Sequence, residues 1–189
     1  MERFTRFKPR VANALLAGFL LTFAGAPASA ALCVWRKPDQ DIKTFFPGAD
    51  TYRTDLKSIG SRRAAIEKRL GARLDPDETE FKLYRVLDGG RQVGTIMTHL
   101  AKGQYGAIEV VVAVDNQGVV KGVGIQRDRE RARKALRSEA FLGQFRGKKV
   151  SDSFEVGKTI QPAAKDAEVA SRAVAFSVKK LLIVLDELG

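Results

Sequence analysis

QYGAIEVVVAVDNQGVVKGVGIQ, residues 104–126, carries the clearest structural signal in this chain. Residues 108, 110, 112 and 114 alternate onto one face as Ile and Val, and the other face is apolar except at Glu109. This density of β-branched residues favours a strand that is covered on both sides. Asp115, Asn116, Gln117 and Gly118 then supply the residue types of a tight turn. We therefore predict a β-hairpin.

The return strand of this hairpin carries two glycines on one face. Gly122 and Gly124 are two residues apart, so both point to the same side of the strand. Glycines in a strand permit close approach of another group. That group is either a packed helix or a flat ligand for which the glycines form the floor.

The N-terminal 30 residues have the order of a secretory signal. Four basic residues in the first ten are followed by an apolar run from Val11 to about Ala26 and by Ala28-Ser29-Ala30. The run is shorter than the roughly 20 apolar residues that span a bilayer, which argues against a retained anchor. We predict export, with cleavage near Ala30. Cys33, the single cysteine, then lies near the new N-terminus and has no internal disulfide partner.

The net charge narrows the class of partner. The full chain carries +11, and removal of residues 1–30, which hold four basic residues and one acidic residue, leaves +8. An exported protein meets little nucleic acid, so we expect no nucleic-acid partner. Anionic membrane surfaces, acidic proteins and phosphate-bearing ligands remain candidates, and a general solubilising charge is the alternative.

The remaining segments predict an α+β fold. Residues 39–46 and 61–70 favour short helices, the second capped by Ser61 and stopped by Gly71. Residues 81–87 and 92–98 read as strands around a turn. Residues 162–188 carry an apolar stripe at spacings of three and four, which is typical of a long helix. We expect a signal peptide (1–30), an N-terminal helical extension (31–79) and a single domain (80–189) with an antiparallel sheet packed by the C-terminal helix.

Two features are open to a functional interpretation. His99 is the only histidine, and neither a metal-ligand cluster nor a paired nucleophile accompanies it in the sequence, which favours a structural role. The stretch from Arg127 to Arg137 holds six basic residues against Asp128 and Glu130. It is either a solvated helical face or a docking site for an acidic partner or a phosphate.

In their order, several of these pieces resemble the FMN-binding domain family, which includes flavin-carrying subunits of the sodium-pumping NADH:quinone reductase. The resemblance covers about residues 80–183. It rests on Tyr105-Gly106, on the strand–turn–strand unit 108–125, on the FLGQFRGK block at 141–148, and on Ala170-Ser171-Arg172-Ala173-Val174. It implies a single α+β domain, FMN as cofactor, and a membrane redox complex or another electron-transfer protein as partner.

One departure from the family pattern concerns the flavin itself. Family members with covalent FMN have a Ser/Thr-Gly-Ala-Thr motif before the final helix, and the last threonine carries the flavin. Here Lys165-Asp166-Ala167-Glu168 aligns with that motif, so a carboxylate replaces the acceptor hydroxyl. Two acids at this place would also repel a phosphate. If FMN binds, we expect it to bind without a covalent bond.

Three interpretations therefore remain open. The chain is a noncovalent FMN-binding protein in electron transfer, a flavin-free binding or assembly module for a membrane redox system, or an unrelated periplasmic binding protein with a similar layout. For the first, Arg127 or Arg129 would engage the phosphate. The resemblance implies a site formed by Tyr105, Gly106, Gly122, Gly124, Arg127, Glu130, Glu168 and Ser171.

Overall fold

The predicted hairpin forms as the last two strands of an antiparallel sheet. In the computed structural model, which describes residues 37–189, the two strands are β4 (Ala107–Val114) and β5 (Val120–Arg127). Every residue of β4 after Ala107 is buried, Glu109 included. The strand is thus covered on both faces, as its composition predicts.

The sheet has five strands in chain order, β1 (Thr51–Ser58), β2 (Glu80–Asp88) and β3 (Arg91–Lys102) preceding the hairpin. All neighbouring strands are antiparallel. The two strands predicted around residues 88–90 are confirmed as β2 and β3, and Gly89 and Gly90 take positive φ in the turn between them.

Two helices cover opposite faces of the sheet. Helix α5 (Glu168–Leu188) packs on the face that carries Val110, Val112 and Val114. Helix α1 (Asp39–Phe45) packs on the face that carries Val111 and Ala113. This arrangement confirms the predicted α+β class, with an antiparallel sheet packed by a long C-terminal helix.

The N-terminal part of the chain needs a correction. Residues 31–79 were expected to form a helical extension, but within the described part they contribute edge strand β1 as well as α1 and α2 (Arg63–Leu70). Residues 37–189 form one compact unit. The hydrophobic pattern of the sequence does not indicate this strand, because β1 is an edge strand with no fully buried residue.

Both longer helices begin later than predicted. Helix α2 follows a 3-10 turn at Gly60–Arg62, so Ser61 is not its cap, whereas Gly71 ends it with φ 72° as expected. Helix α5 begins at Glu168 rather than at residue 162, because Ala164 is extended and a 3-10 turn occupies Lys165–Ala167. The segment before α5 is therefore a loop, which matters for the site described below.

The remaining helical segments are short: α3 (Arg133–Leu136), α4 (Glu139–Leu142) and a 3-10 turn at Gly143–Phe145. Within residues 37–189, no helix combines the length and apolar character needed to cross a bilayer. The predicted signal sequence and Cys33 lie outside the described residues.

Candidate functional site

The loop that follows β5 is folded around a buried carboxylate, that of Asp128. Its Oδ2 accepts hydrogen bonds from Arg137 at 2.6 and 2.9 Å, and Oδ1 lies 3.2 Å from Arg133 Nε. The backbone N–H of Glu130 also donates to Oδ1. Two of the six basic residues of this stretch are thereby used to hold its own conformation.

The same loop is fixed to the turn that precedes β4. Glu130 is buried and accepts the backbone N–H of Tyr105 at 3.0 Å. The Arg131 guanidinium lies 4.6 Å from the centre of the Tyr105 ring, close enough for a cation–π contact. The side chain of Arg129 covers Gly106, which has φ 149°. Three of the candidate site residues, Tyr105, Gly106 and Glu130, are thus brought together.

A cleft of about 510 Å³ lies between this loop and the loop before α5. Arg131, Lys134 and Ser138 line one side, and Ala164 and Asp166 line the other. Within residues 37–189 neither Arg131 nor Lys134 forms an ion pair, so two cations remain to attract an anion. Asp166 opposes them from across the cleft. We call this the α5-entry cleft.

Ser171 positions the wall of the α5-entry cleft rather than lining it. Its Oγ is fully buried, accepts the backbone N–H of Ala163 at 3.0 Å and donates to the carbonyl of Ala167 at 2.8 Å. Glu168 is exposed and pairs with Arg172 at 2.5 Å. The Glu168 carboxylate is therefore engaged by the following turn of α5.

The two glycines of β5 belong to a different place. Gly122 and Gly124 lie on the α1 face, where the Phe45 ring fills the space above them. The sheet separates them from Ser171, so the prediction of one shared cleft needs correction. Of the two interpretations of the glycine pair, the structure shows the packed helix. A cleft of about 400 Å³ does adjoin them, beside Phe45.

Arg127 also lies apart from the α5-entry cleft. Its Nε donates to Glu109 Oε2 at 2.6 Å, at a bulge where β4 and β5 shift register. Glu109 is buried because this arginine partly neutralises it, although its Oε1 has no hydrogen-bond partner among the described residues. Arg127 thus has a structural partner in place of the predicted phosphate.

His99 belongs to a partly buried polar cluster that was not predicted from the sequence. Its Nδ1 lies 2.8 Å from Ser177 Oγ, and its Nε2 lies 3.0 Å from Lys180 Nζ, which also binds Glu78. Ser177 is fully buried and donates to the Ala173 carbonyl, so its oxygen accepts from the histidine. A serine in this position has no access to a substrate, which favours the structural role of His99.

The ion pairs of this cluster hold Glu78 in its charged form. Burial alone would raise the pKa of Glu78, but the contacts with His99 and Lys180 outweigh it and lower the pKa to about 2. The signal for the cluster was present in the sequence. Ser177 and Lys180 interrupt the buried side of α5, and polar residues at such positions need partners.

No group of three or more histidine, cysteine or acidic residues in the described part of the chain is arranged to hold a metal ion. Ligand binding in the α5-entry cleft would therefore depend on its two cations and on the small apolar side chains of its walls. It can hold an anionic organic molecule by charge and shape.

The architecture and the cleft together define the class of protein. It is a single α+β unit with a cleft of ligand size at the start of its last helix. No family model matches this chain, and no curated protein matches it. Among solved structures, NqrC from Shewanella oneidensis has a similar chain course, with 13% identity over 77% of this chain and 82% of that chain, and a TM-score of 0.49.

Proposed function

We propose that this chain is an exported FMN-binding protein associated with electron transfer, and that it holds the flavin without a covalent bond. The observation that carries this proposal is the α5-entry cleft. It adjoins the turn Lys165–Ala167, part of the segment that the resemblance aligns with the flavin-carrying motif, and it presents two cations that form no ion pair within residues 37–189.

The cleft suits the phosphate end of FMN. Arg131 and Lys134 lie on one side of it, and an arginine can bind two oxygens of a phosphate through parallel N–H groups. Its volume of about 510 Å³ falls within the usual range for small-molecule sites. Ala132, Ala135 and Ala164 leave room between the two loops because their side chains are small.

The chemistry at Glu168 is the reason to propose noncovalent binding. A carboxylate cannot replace the threonine hydroxyl that carries flavin in the family, and Glu168 is already paired with Arg172. When bound, flavin would supply one- and two-electron transfer. The residues of this chain would bind its phosphate, orient the ring, and hold the loop through Ser171 and Asp128.

The cellular setting is also part of the proposal. We place the mature protein outside the cytoplasm after removal of residues 1–30, with a membrane redox complex or another electron-transfer protein as partner. N-terminal sequencing of the protein recovered from the periplasm tests this. A mature chain that begins at Ala31 is expected, and a retained Met1 would contradict export with cleavage.

A second candidate function is the flavin-free binding or assembly module. Leu100, Val169 and Phe176 are large apolar side chains exposed together along one cleft between β3 and α5. Arg73 and Lys102 line the same cleft. An acidic partner protein with an apolar contact would fit this surface, and its binding would not need the α5-entry cleft.

The two functions are distinguished by titrating the full chain with FMN and with riboflavin, which lacks the phosphate. We expect FMN to bind more tightly than riboflavin, and R131Q/K134Q to weaken FMN about tenfold or more while leaving riboflavin unchanged. Lys43, exposed on α1 across the sheet, provides the control variant K43Q. A folded chain that takes up neither compound would favour the module.

A further inference from the structure

We propose that a second cleft, at the other end of α5, binds a small organic carboxylate, with Arg85 receiving its carboxylate group. This cleft has a volume of about 640 Å³ and lies between the last turns of α5 and the turn of the β4–β5 hairpin. Leu185 lines it, 17 residues after the first residue of α5, which is about 25 Å along a helix. It is therefore separate from the proposed flavin site, and we call it the Arg85 cleft.

Arg85 is a charged residue in the middle of a sheet, where apolar side chains are the rule. It follows the fully buried Leu83 on the same face of β2 and is itself only 8% exposed. Burial of an arginine is costly unless its donors are paired. A residue of this kind at the floor of a large cleft is a candidate for ligand binding.

Only part of the Arg85 guanidinium is satisfied by the protein. Its Nε donates to Asp55 at 3.1 Å and its Nη1 donates to Thr95 Oγ1 at 3.2 Å. Among the described residues no hydrogen-bond acceptor meets Nη2. An arginine has five N–H donors. Asp55 and Thr95 thus hold the guanidinium in place and leave donors for an anion in the cleft.

The charges around the cleft favour a singly charged anion over a doubly charged one. Lys149 is the second cation of the cleft, Asp115 and Asp186 are carboxylates of its lining, and Asp55 partly offsets the charge of Arg85. Asp115 accepts two backbone N–H groups of the hairpin turn, and Asp186 pairs with Arg69 at 2.7 Å. These carboxylates oppose a dianion such as phosphate more than a monoanionic carboxylate.

The wall of the cleft opposite Arg85 indicates the chemical character of the rest of the ligand. Val150, Leu182 and Leu185 present hydrocarbon to the cleft, across from the floor formed by Arg85 and Thr95. A molecule with one carboxylate and a short apolar body matches both surfaces. Aromatic acids and medium-chain fatty acids belong to this class.

The test uses the full chain labelled with ¹⁵N and titrated with benzoate, hexanoate, their uncharged amides and inorganic phosphate. We expect one or both carboxylates to bind and to shift the backbone signals around Arg85, Thr95, Ser151 and Leu185. The matching amides and phosphate should bind at least about tenfold more weakly, because they lose the charge-assisted bond or face the two aspartates.

Two variants approach the cleft from different sides. R85Q removes the charge, and S151W adds a bulky group at an exposed loop position that lines the cleft while leaving residue 85 as arginine. We expect each to weaken carboxylate binding about tenfold or more. The control T54W adds the same side chain at an exposed position on β1 and should bind as the wild type does.

The proposal would be overturned if the amides bound as tightly as the carboxylates, or if a folded S151W variant bound the carboxylates as tightly as the wild type. The result does not depend on the proposed flavin site. R131Q/K134Q should bind the carboxylate normally whether or not the chain takes up FMN.

Discussion

At Gly122 the absence of a side chain decides how closely α1 approaches the sheet. A Cβ at this position would lie 2.4 Å from the Phe45 ring, whereas a Cβ at Gly124 would lie 3.6 Å from it. The first distance is a severe overlap and the second is an ordinary contact. Two glycines on one face of β5 thus differ in what they contribute.

We predict that G122A lowers the free energy of unfolding by about 1–3 kcal/mol, because the added methyl displaces Phe45. G124A should change it by less than about 0.5 kcal/mol, as expected of a change that meets no overlap. Urea denaturation measures both. In an F45A background the cost of G122A should disappear, and an undiminished cost there would show that Phe45 is not its cause.

Glu78 is a second residue whose environment has a measurable effect, in this case on the pKa of its side chain. Its pKa in the folded protein is about 2, below the ordinary value of 4.5. The stabilisation from its charged form is therefore present above about pH 4.5 and is lost as the pH falls towards 2. Partial exposure of the side chain reduces the effect.

We predict that E78Q costs about 1–2 kcal/mol at pH 7 and much less at pH 2.5, since the carboxylate of the unfolded wild type is then protonated and has to lose its proton on folding. E80Q, an exposed neighbour on β2, is the control and should have little effect at either pH. Urea denaturation from pH 2.5 to 7 gives the comparison. A cost that does not change with pH would contradict the ion-pair account.

At the scale of elements, α5 is stabilised at two places by serines with the same local geometry. Ser171 and Ser177 are both fully buried and both donate to the carbonyl four residues earlier. Ser171 also holds the loop of the α5-entry cleft through Ala163, whereas Ser177 accepts from His99. Comparing the two serines therefore separates an effect on the stability of α5 from an effect on the shape of the α5-entry cleft.

We predict that S171A and S177A each lower the free energy of unfolding by about 1–2 kcal/mol, because each leaves a buried partner without its hydrogen bond. S171A should also weaken FMN several-fold by releasing the cleft wall, while S177A should leave FMN binding unchanged. Equal effects of the two variants on FMN affinity would show that the loop held by Ser171 does not shape the site.

At the scale of the whole molecule, the sequence predicted the elements whose apolar residues have a strong periodicity. The hairpin at 104–126 and the helix ending at Leu188 are confirmed because their apolar spacing matches surfaces that are buried. Strand β1 was missed because none of its side chains is buried: all are half-buried or exposed, without regular alternation. Pairing with β2, rather than composition, makes it a strand.

Which of the candidate site residues lie together follows from the same pattern only in part. Tyr105, Gly106 and Glu130 meet because the turn before β4 and the loop after β5 lie at the same end of one hairpin. The prediction could not assign Gly122 and Gly124 to the correct face, because alternation gives a relative face and not the identity of the helix that covers it. The contact of His99 with Ser177 spans 78 positions and could not be inferred from local pattern.

The central claim concerns flavin, and one spectrum tests it most directly. The protein would be purified from the periplasm without added FMN, and its absorbance recorded before and after acid precipitation, in supernatant and pellet. We predict flavin bands in the native protein that move entirely to the supernatant, because Glu168 offers no acceptor for a covalent bond. Bands that remain in the pellet, or a colourless protein that also fails to take up FMN, would contradict the account.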